Sequence, residues 1–329
     1  MRPVLKDSIF KVKDETGFLE TTLEVFNYQA EKNPVYHDFL VRLRKNQANI
    51  KTISDIPFLP VEFFRNHKII TENLSAEIVF ESSATTGSIV SRHFVHERQL
   101  YEESFLRGFR MFYGEPDDYF IGALLPSYIE RKNSSLIYMM DNLIKRSSNP
   151  LSGFFRDNVE DLIRLIEKAL KNNQKTLLIG VSFALLDLAE KYQPDISGAI
   201  VMETGGMKGR REEITREELH AFLRNRLNVP SIHSEYGMTE LLSQAYSKGD
   251  GVFYCPPWMR VLIRDPQDPL SLIMEPGKTG GINIIDLANI YSCSFIATSD
   301  LGKLHEDGGF EVLGRFDNSD IRGCNLLIE

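Results

Sequence analysis

The stretch TLLIGVSFALLDLAEKYQPDISGAIVMETGG, residues 176–206, decides the fold class. Two short apolar runs, TLLIG and GAIVMET, flank the helical pattern SFALLDLAEKY, and the second run leads into a pair of glycines. A strand, a helix and a strand in such close succession read as a crossover between parallel neighbours, with the helix laid on the sheet. The alternation continues outward. EIVF, YFIGALL and PSIHSEYG are further strand candidates, while ERQLYEESFLRGFRMF, SSLIYMMDNLIKR, VEDLIRLIEKALKN and TREELHAFLRNRL are helical. In the third of these helices Val159, Leu162, Ile163, Ile166, Ala169 and Leu170 fall on one stripe. The expected class is α/β, with doubly wound, mostly parallel sheets covered by helices on both faces. Ligands of such sheets bind beyond the carboxyl ends of the strands.

The flanks differ from this centre. FLETTLEVFNYQAEKN puts Leu19, Leu23, Phe26 and Ala30 on one helical face, and DIPFLPVEFF reads as an extended apolar segment packed against the rest. After about residue 250, YCPPWMRVLIRDPQDPL, GGINIIDL and FEVLG read as short strands divided by Pro and Gly turns, without a clear helix. The expected organisation is a helical segment over 1–70 packed on the main domain, an α/β region over 71–250, a smaller β subdomain over 251–313, and a terminal strip over 314–329.

Composition bounds the function. The 329 residues are 42% apolar and 26% charged, as in an ordinary globular protein that buries a large core. A net charge of −8 argues against a nucleic-acid partner, which would require a basic face. No apolar run approaches the roughly 18 residues of a membrane span. MRPVLKDSIFKVKDETG lacks the apolar core of a signal peptide, and Cys255, Cys293 and Cys324 form no CxxC pair. A cytoplasmic location with reduced thiols is expected. An oligomer is compatible with this composition.

Polar groups gather where strands end. VFESSATTGS, residues 79–88, places Ser82, Ser83, Thr85, Thr86, Gly87 and Ser88 directly after an apolar run. Such a loop is either an exposed turn or a pocket of amide and hydroxyl donors for phosphate. The P-loop and dinucleotide fingerprints are both absent. METGGMKGRR supplies Gly205, Gly206, Lys208, Arg210 and Arg211; HSEYGMTE supplies Tyr236, Gly237, Thr239 and Glu240. ATSDLGKL puts Asp300 in a turn before Gly302, and LGRFDNSDIRGCN carries Arg315 and Cys324. Each also has a plain structural reading: Tyr236 as a core aromatic, Glu240 as a helix-start acid, Asp300 as a turn former.

In this order the segments resemble the motifs of the adenylate-forming superfamily of acyl-CoA synthetases, luciferase-like enzymes and peptide-synthetase adenylation domains. SSATTGS resembles its phosphate loop, YGMTE its Tyr-Gly-x-Thr-Glu motif, TSDLG its Thr-Gly-Asp-Leu-Gly and GRFDNSD its Gly-Arg-x-Asp-Asp. A narrower resemblance rests on ETGGMKGRREE, EYGMTELLSQAY, PPWMRVLIRDP and DIRGCNLL, which are similar to the acyl-protein synthetase family, the synthetase component of luminescence fatty-acid reductases.

The resemblance implies that ATP and Mg2+ are used to convert a carboxylic acid, a fatty acid in the narrower family, into an acyl-adenylate. Ser82, Ser83, Thr85, Thr86 and Gly87 would hold the terminal phosphates. Tyr236, beside Gly237, would lie against adenine, Thr239 would bond the α-phosphate and Glu240 would hold Mg2+. Asp300 and Arg315 would meet the ribose, and Gly205 and Gly206 would let the backbone pass close to the base, where a Cβ would obstruct. Cys324 would take the acyl group as a thioester for delivery to a partner such as an acyl reductase or carrier protein.

The sequence departs from the pattern at Ala84 and Ser299, where the superfamily has glycine. It also ends 15 residues after Gly314, and the mobile C-terminal domain with its lysine is therefore expected to be lacking. Lys208, Arg210 or Arg211 is the expected substitute cation, against the alternative of solvated charges at a helix start. Arg322 and Arg315 near Cys324 would favour its thiolate, against the alternative of a half-buried small hydrophobe in a tail. Cys255 and Cys293, among apolar and aromatic neighbours, read as structural. Two other functions fit the residues: a truncated acyl-CoA or aryl-CoA ligase, and a nucleotide-binding subunit without turnover.

Overall fold

The computed structural model describes residues 3–82, 90–125, 133–156, 158–205 and 214–316. The chain opens with α1 (Pro3–Ile9), α2 (Glu15–Lys32) and α3 (Pro34–Arg42). Asp14 caps α2 by accepting from the Gly17 amide at 2.8 Å. Asn33 ends α2 and starts α3, its side-chain oxygen accepting from the Val35 and Tyr36 amides. Pro34 at the first position of α3 loses nothing, because that N–H would have no helical partner. The segment DIPFLPVEFF becomes β1 (Leu59–Pro60) followed by a single turn, α4 (Phe63–Asn66).

The strand β2 (Ile78–Glu81) does not join the parallel sheet expected for it. It pairs with β3 (Arg92–Val95) as an isolated antiparallel hairpin, with Glu81 opposite Arg92. Residues 83–89, which follow β2 in the sequence, lie outside the described residues. A short apolar run such as EIVF has the same appearance in either kind of sheet.

The alternating region follows as α5 (Arg98–Tyr113), β4 (Tyr119–Leu124), α6 (Ser135–Arg146), β5 (Gly153–Phe154), α7 (Val159–Lys171), β6 (Lys175–Gly180), α8 (Ser182–Lys191), β7 (Ile200–Glu203), α9 (Arg216–Leu227), β8 (Ile232–Tyr236) and β9 (Ala245–Ser247). Its sheet has the order β5-β4-β6-β7-β8-β9 and is parallel except for β9. Successive side chains of β8 face opposite helices. His233 meets the Tyr113 hydroxyl of α5 at 3.2 Å, and Ser234 meets His220 of α9 at 3.4 Å. Helices therefore cover both faces, as the crossovers of a parallel sheet require.

The last strands are β10 (Val252–Phe253), β11 (Met259–Arg264), β12 (Leu272–Ile273), β13 (Thr279–Asp286), β14 (Phe295–Leu304) and β15 (Phe310–Arg315). They form a second sheet in the order β10-β15-β14-β13-β11-β12, to which β1 adds in parallel against β14. The change from one sheet to the other falls between Ser247 and Val252.

The N-terminal helices pack on this second sheet. Phe295 of β14 is fully buried among Phe26, Tyr36 and Phe58. Gln29, also fully buried, donates to the carbonyls of Asn289 and Ile290 at 2.9 and 3.0 Å and accepts from the Ser294 amide at 2.9 Å. Asn33 donates to the Ser292 carbonyl at 2.8 Å. One amide side chain thus satisfies a buried loop that has no ladder of its own. Replacing Gln29 with Ala strands those groups, and the expected loss is about 1–3 kcal/mol, measured by denaturant unfolding. An unchanged midpoint would show that the loop does not depend on α2.

Candidate active site

The parallel strands end together. Register pairs Leu124 with Gly180, Gly180 with Glu203, and Glu203 with Ser234, which sets the chain turns after β4, β6, β7 and β8 along one edge. Glu203, at the end of β7, is buried. Its Oε2 accepts from the Gly205 amide at 2.5 Å and from Ser182 at 3.3 Å. Arg216 and His220 each stand 3.7 Å from its Oε1. Burial alone would raise this carboxyl, but His220, Arg216, Ser234 and the Gly205 amide outweigh it and hold the pKa below the ordinary range. Gly205 has φ +71°, a backbone that glycine adopts freely, and a Cβ there would point into open space. Beside it the hydroxyl of Thr204 is buried and has no hydrogen-bond partner among the described residues.

Two residues further along the sheet, Tyr236 ends β8 and reaches across to the second sheet. Its hydroxyl donates to Asp300 Oδ2 at 2.8 Å, while Arg315 Nε donates to Asp300 Oδ1 at 3.3 Å. The Tyr236 ring packs against Phe253 and Phe310 at centroid distances of 5.9 and 5.6 Å, and those two rings stack on each other at 5.4 Å. Burial first, then the charge of Asp300, keeps the phenol protonated far above its usual pKa.

Asp300 lies inside strand β14 and not in the turn expected from TSDLG. The strand is irregular on both sides of it: register slips against β13 between Gly281 and Asn283, and against β15 between Leu301 and Gly302. The Thr298 hydroxyl accepts from the Asp300 amide at 3.1 Å and donates to the Ile282 carbonyl at 2.9 Å. Arg264, itself buried, donates to the carbonyls of Ile282 and Thr298 at 2.7 and 2.6 Å. These bonds replace the missing ladder and hold the bulge that presents Asp300.

The hairpin meets the same site. Ser82 Oγ accepts from the Ser91 amide at 2.9 Å, which ties the two ends of the connection together. The Ser91 hydroxyl in turn bonds the Glu240 carboxylate, and His93 Nδ1 lies 2.9 Å from the Thr239 carbonyl. Glu240 is 5% exposed. Burial raises its pKa, against the Ser91 bond and the positive charges of Arg315 and Arg65. Asp286, fully buried at the end of β13, accepts from the amides of Leu242 and Ser243 and from the Ser243 hydroxyl at 2.6–2.9 Å. Asn289 donates to the Glu240 carbonyl at 2.8 Å. The turn that carries Thr239 and Glu240 is therefore fastened from three sides.

Of the residues singled out in the sequence, Ser82, Tyr236, Gly237, Thr239, Glu240, Asp300 and Arg315 border this joint between the sheets, and Gly205 lies at the end of the neighbouring β7. Ser83, Thr85, Thr86, Gly87, Gly206, Lys208, Arg210, Arg211 and Cys324 lie outside the described residues. Cys293 is buried and Cys255 half-buried, and burial pushes each thiol up to about 12, as suits a structural role. Sequence reasoning passed over Glu203, Glu235, Asp286, Ser91 and His93.

Glu235 is the most unusual of these. Alternation along β8 turns it away from Ser234 and Tyr236, and it stands opposite Tyr246 of β9. Its Oε1 comes within 2.4 Å of where a Cβ on Gly237 would sit, so a larger residue there would displace the carboxylate from this position. Among the described residues no hydrogen bond or ion pair engages it. Burial, reinforced by the charge of Glu203, pushes its pKa up to about 8.

Comparison with known proteins places this architecture. No protein-family model and no curated protein matches the chain. Solved structures do. ATP-bound MatB from Rhodopseudomonas palustris superposes with a TM-score of 0.54 at 16% identity, over 74% of this chain and 49% of that one. A long-chain-fatty-acid-CoA ligase from Archaeoglobus fulgidus gives 0.52 at 17% identity, over 72% and 51%. The luciferase-like enzyme of the mealworm Zophobas morio gives 0.51 at 15%, over 75% and 60%. The fold is thus that of adenylate-forming enzymes, and the chain spans about half the length of the ligases it matches.

The charge pattern has a consequence for stability. A carboxyl at 4.5 when unfolded and about 8 when folded keeps a proton in the native state that the unfolded chain has lost. Stability therefore falls as pH rises through that interval, by roughly 1.4 kcal/mol per unit. His93 and His233, lowered to about 4 chiefly by burial, act in the opposite sense, but only below their unfolded pKa of 6.5. The melting temperature of the wild type is expected to fall from pH 6.5 to 8, and that of Glu235→Gln to stay level. Parallel curves for the two proteins would refute the assignment.

Proposed function

We propose that the chain activates a carboxylic acid with ATP, releasing pyrophosphate and forming an acyl-adenylate, and then transfers the acyl group to the thiol of Cys324. The observation that supports this reading is the convergence of the hydroxyl-rich connection, through Ser82 and Ser91, on Glu240, beside the Tyr236–Asp300–Arg315 cluster.

The residues present fit the substrates this requires. The orphaned Thr204 hydroxyl and the open space at Gly205 suit the edge of a base. The ring of Tyr236, fixed from behind by Phe253 and Phe310, suits the face of one. Asp300 would accept from ribose hydroxyls, with Arg315 on the other side. Ser82, Ser83, Thr85, Thr86 and the Gly87 amide would hold the outer phosphates, and Thr239 the α-phosphate.

Glu240 is a buried carboxylate whose charge a dication would offset. Among the described residues no three metal-ligating side chains gather, so the ion would be completed by phosphate and water, as Mg2+ accepts. When bound, that ion supplies neutralising charge at the phosphates. The cations of Lys208, Arg210 and Arg211 would offset charge that develops on the α-phosphate as the acid attacks in line.

The adenylate is a mixed anhydride, which a thiolate opens with loss of AMP. The expected acid is aliphatic, a fatty acid by the resemblance to acyl-protein synthetases, and the thioester would pass to a reductase or carrier partner. A second reading, transfer to coenzyme A, is favoured by the CoA ligases among the structural neighbours.

Pyrophosphate exchange dependent on a carboxylic acid is the primary test, and Asp300→Ala is expected to reduce it at least a hundredfold. Exchange that no acid stimulates would remove the reading. Radiolabelled acid with ATP should leave a hydroxylamine-labile label on the protein that Cys324→Ser abolishes. Label that appears instead in added coenzyme A would establish the second reading.

A further inference from the structure

The single-turn helix α4 belongs to none of the motif segments, yet it lies across the joint between the sheets. β1 sets Pro60 beside Ala297 of β14, and the Val61 amide donates to the Ala297 carbonyl at 2.9 Å. Glu62, at the start of the turn, accepts from the Ser299 hydroxyl at 2.9 Å, one residue before Asp300. The buried ring of Phe64 packs edge-on against His93 at 5.7 Å, and His93 meets the Thr239 carbonyl, one residue before Glu240. The turn thus stretches from the neighbour of Asp300 to the neighbour of Glu240.

Residues three apart in a helix share a face. Glu62 and Arg65 are such a pair; both are exposed, and the contact of Glu62 with Ser299 shows that their face looks onto the site. Arg65 stands at the end of the turn that lies by Glu240, and its positive charge acts on that buried carboxylate. The two nevertheless form no ion pair, so their charged atoms stand more than 4.0 Å apart. A phosphate suits this interval, because a dication on Glu240 would meet it from one side and the guanidinium from the other. Arginine matches phosphate oxygens with a planar fork of donors. Arg315, the other cation that bears on Glu240, is engaged with Asp300.

We infer that Arg65 binds the outer phosphates of ATP and stays with them as pyrophosphate leaves. The leaving step rests on the acid-activation reading, to which the inference adds a catalytic residue from the N-terminal segment. In that step a carboxylate oxygen of the acid bonds the α-phosphorus. The bond from that phosphorus to its bridging oxygen breaks, and the electron pair departs on pyrophosphate. Arg65 offsets the charge that builds on the leaving group. Its exposure suits an outlet to solvent. AMP, which lacks the outer phosphates, gains nothing from it.

Calorimetry of ATP with Mg2+, and of AMP, on wild type and Arg65→Met tests this contact directly. The variant is expected to bind ATP at least about tenfold more weakly, the worth of a hydrogen-bonded charge, and AMP as the wild type does. Arg65→Lys, which keeps the charge without the fork, is expected to fall between. In pyrophosphate exchange the KM for pyrophosphate is expected to rise by a similar factor in Arg65→Met, with the KM for the acid unchanged. Unaltered ATP affinity in Arg65→Met overturns the inference. Equal loss of ATP and AMP also overturns it, as does a wild type that binds neither. Circular dichroism shows whether the variants keep the fold.

The two readings fail separately. If no acid drives exchange but Arg65→Met weakens ATP alone, the phosphate contact stands and acid activation falls. If an acid drives exchange and Arg65→Met leaves both ATP affinity and the KM for pyrophosphate untouched, acid activation stands and the role of Arg65 falls.

Discussion

A single hydrogen bond joins the two halves of the molecule at the point that matters. The Tyr236 hydroxyl belongs to the last parallel strand of one sheet, and the Asp300 carboxylate belongs to a bulged strand of the other. Neither sheet alone builds a site. The parallel sheet offers strand ends with a buried, neutralised Glu203; the antiparallel sheet offers an acid on a protruding piece of backbone. The phenol commits its proton to the acid, and the acid commits its second oxygen to Arg315, so each half orients the other. Because both groups are buried, an error in their approach would leave polar atoms unpaired, which strongly favours one relative placement.

Behind this joint lies a second layer of polar bonds. Asp286 gathers three backbone amides and a hydroxyl, Asn289 holds the Glu240 carbonyl, and Gln29 holds the carbonyls of Asn289 and Ile290. The N-terminal helices are thereby linked to Glu240 through two residues. The turn after β8 has no regular secondary structure, and its conformation is imposed from outside by residues distant in sequence.

The alternating centre of the fold was legible because a parallel sheet writes itself as apolar runs divided by amphipathic helices. The pairing of β2 was not, since EIVF carries no mark of its partner; only the antiparallel contact of Glu81 with Arg92 reveals the hairpin. TSDLG reads as a turn because Asp followed by Leu-Gly is turn-like, whereas the backbone there is a strand bulged on both edges. Tyr236, Glu240 and Asp300 were singled out through their resemblance to known motifs. Glu235 was invisible for a physical reason: in IHSEY the polar residues at alternate positions mimic the wet face of a half-exposed strand, but that face looks at α5. Asp286, an acid at the end of an apolar run, looked like an ordinary strand terminus.

The slip between β14 and β15 leaves Leu313 without an opposite number, since Gly314 faces Leu301 and Val312 faces Gly302. One surplus residue inverts the side on which everything beyond it emerges. Arg315 reaches Asp300 only because the count between them is odd by that unit. Chain length in this short segment is thus under tighter restraint than residue identity: Leu313 is 49% exposed and its side chain could be many things, but its place in the count could not be given up. Divergence in this corner of the molecule should proceed by exchange of side chains and almost never by loss or gain of one.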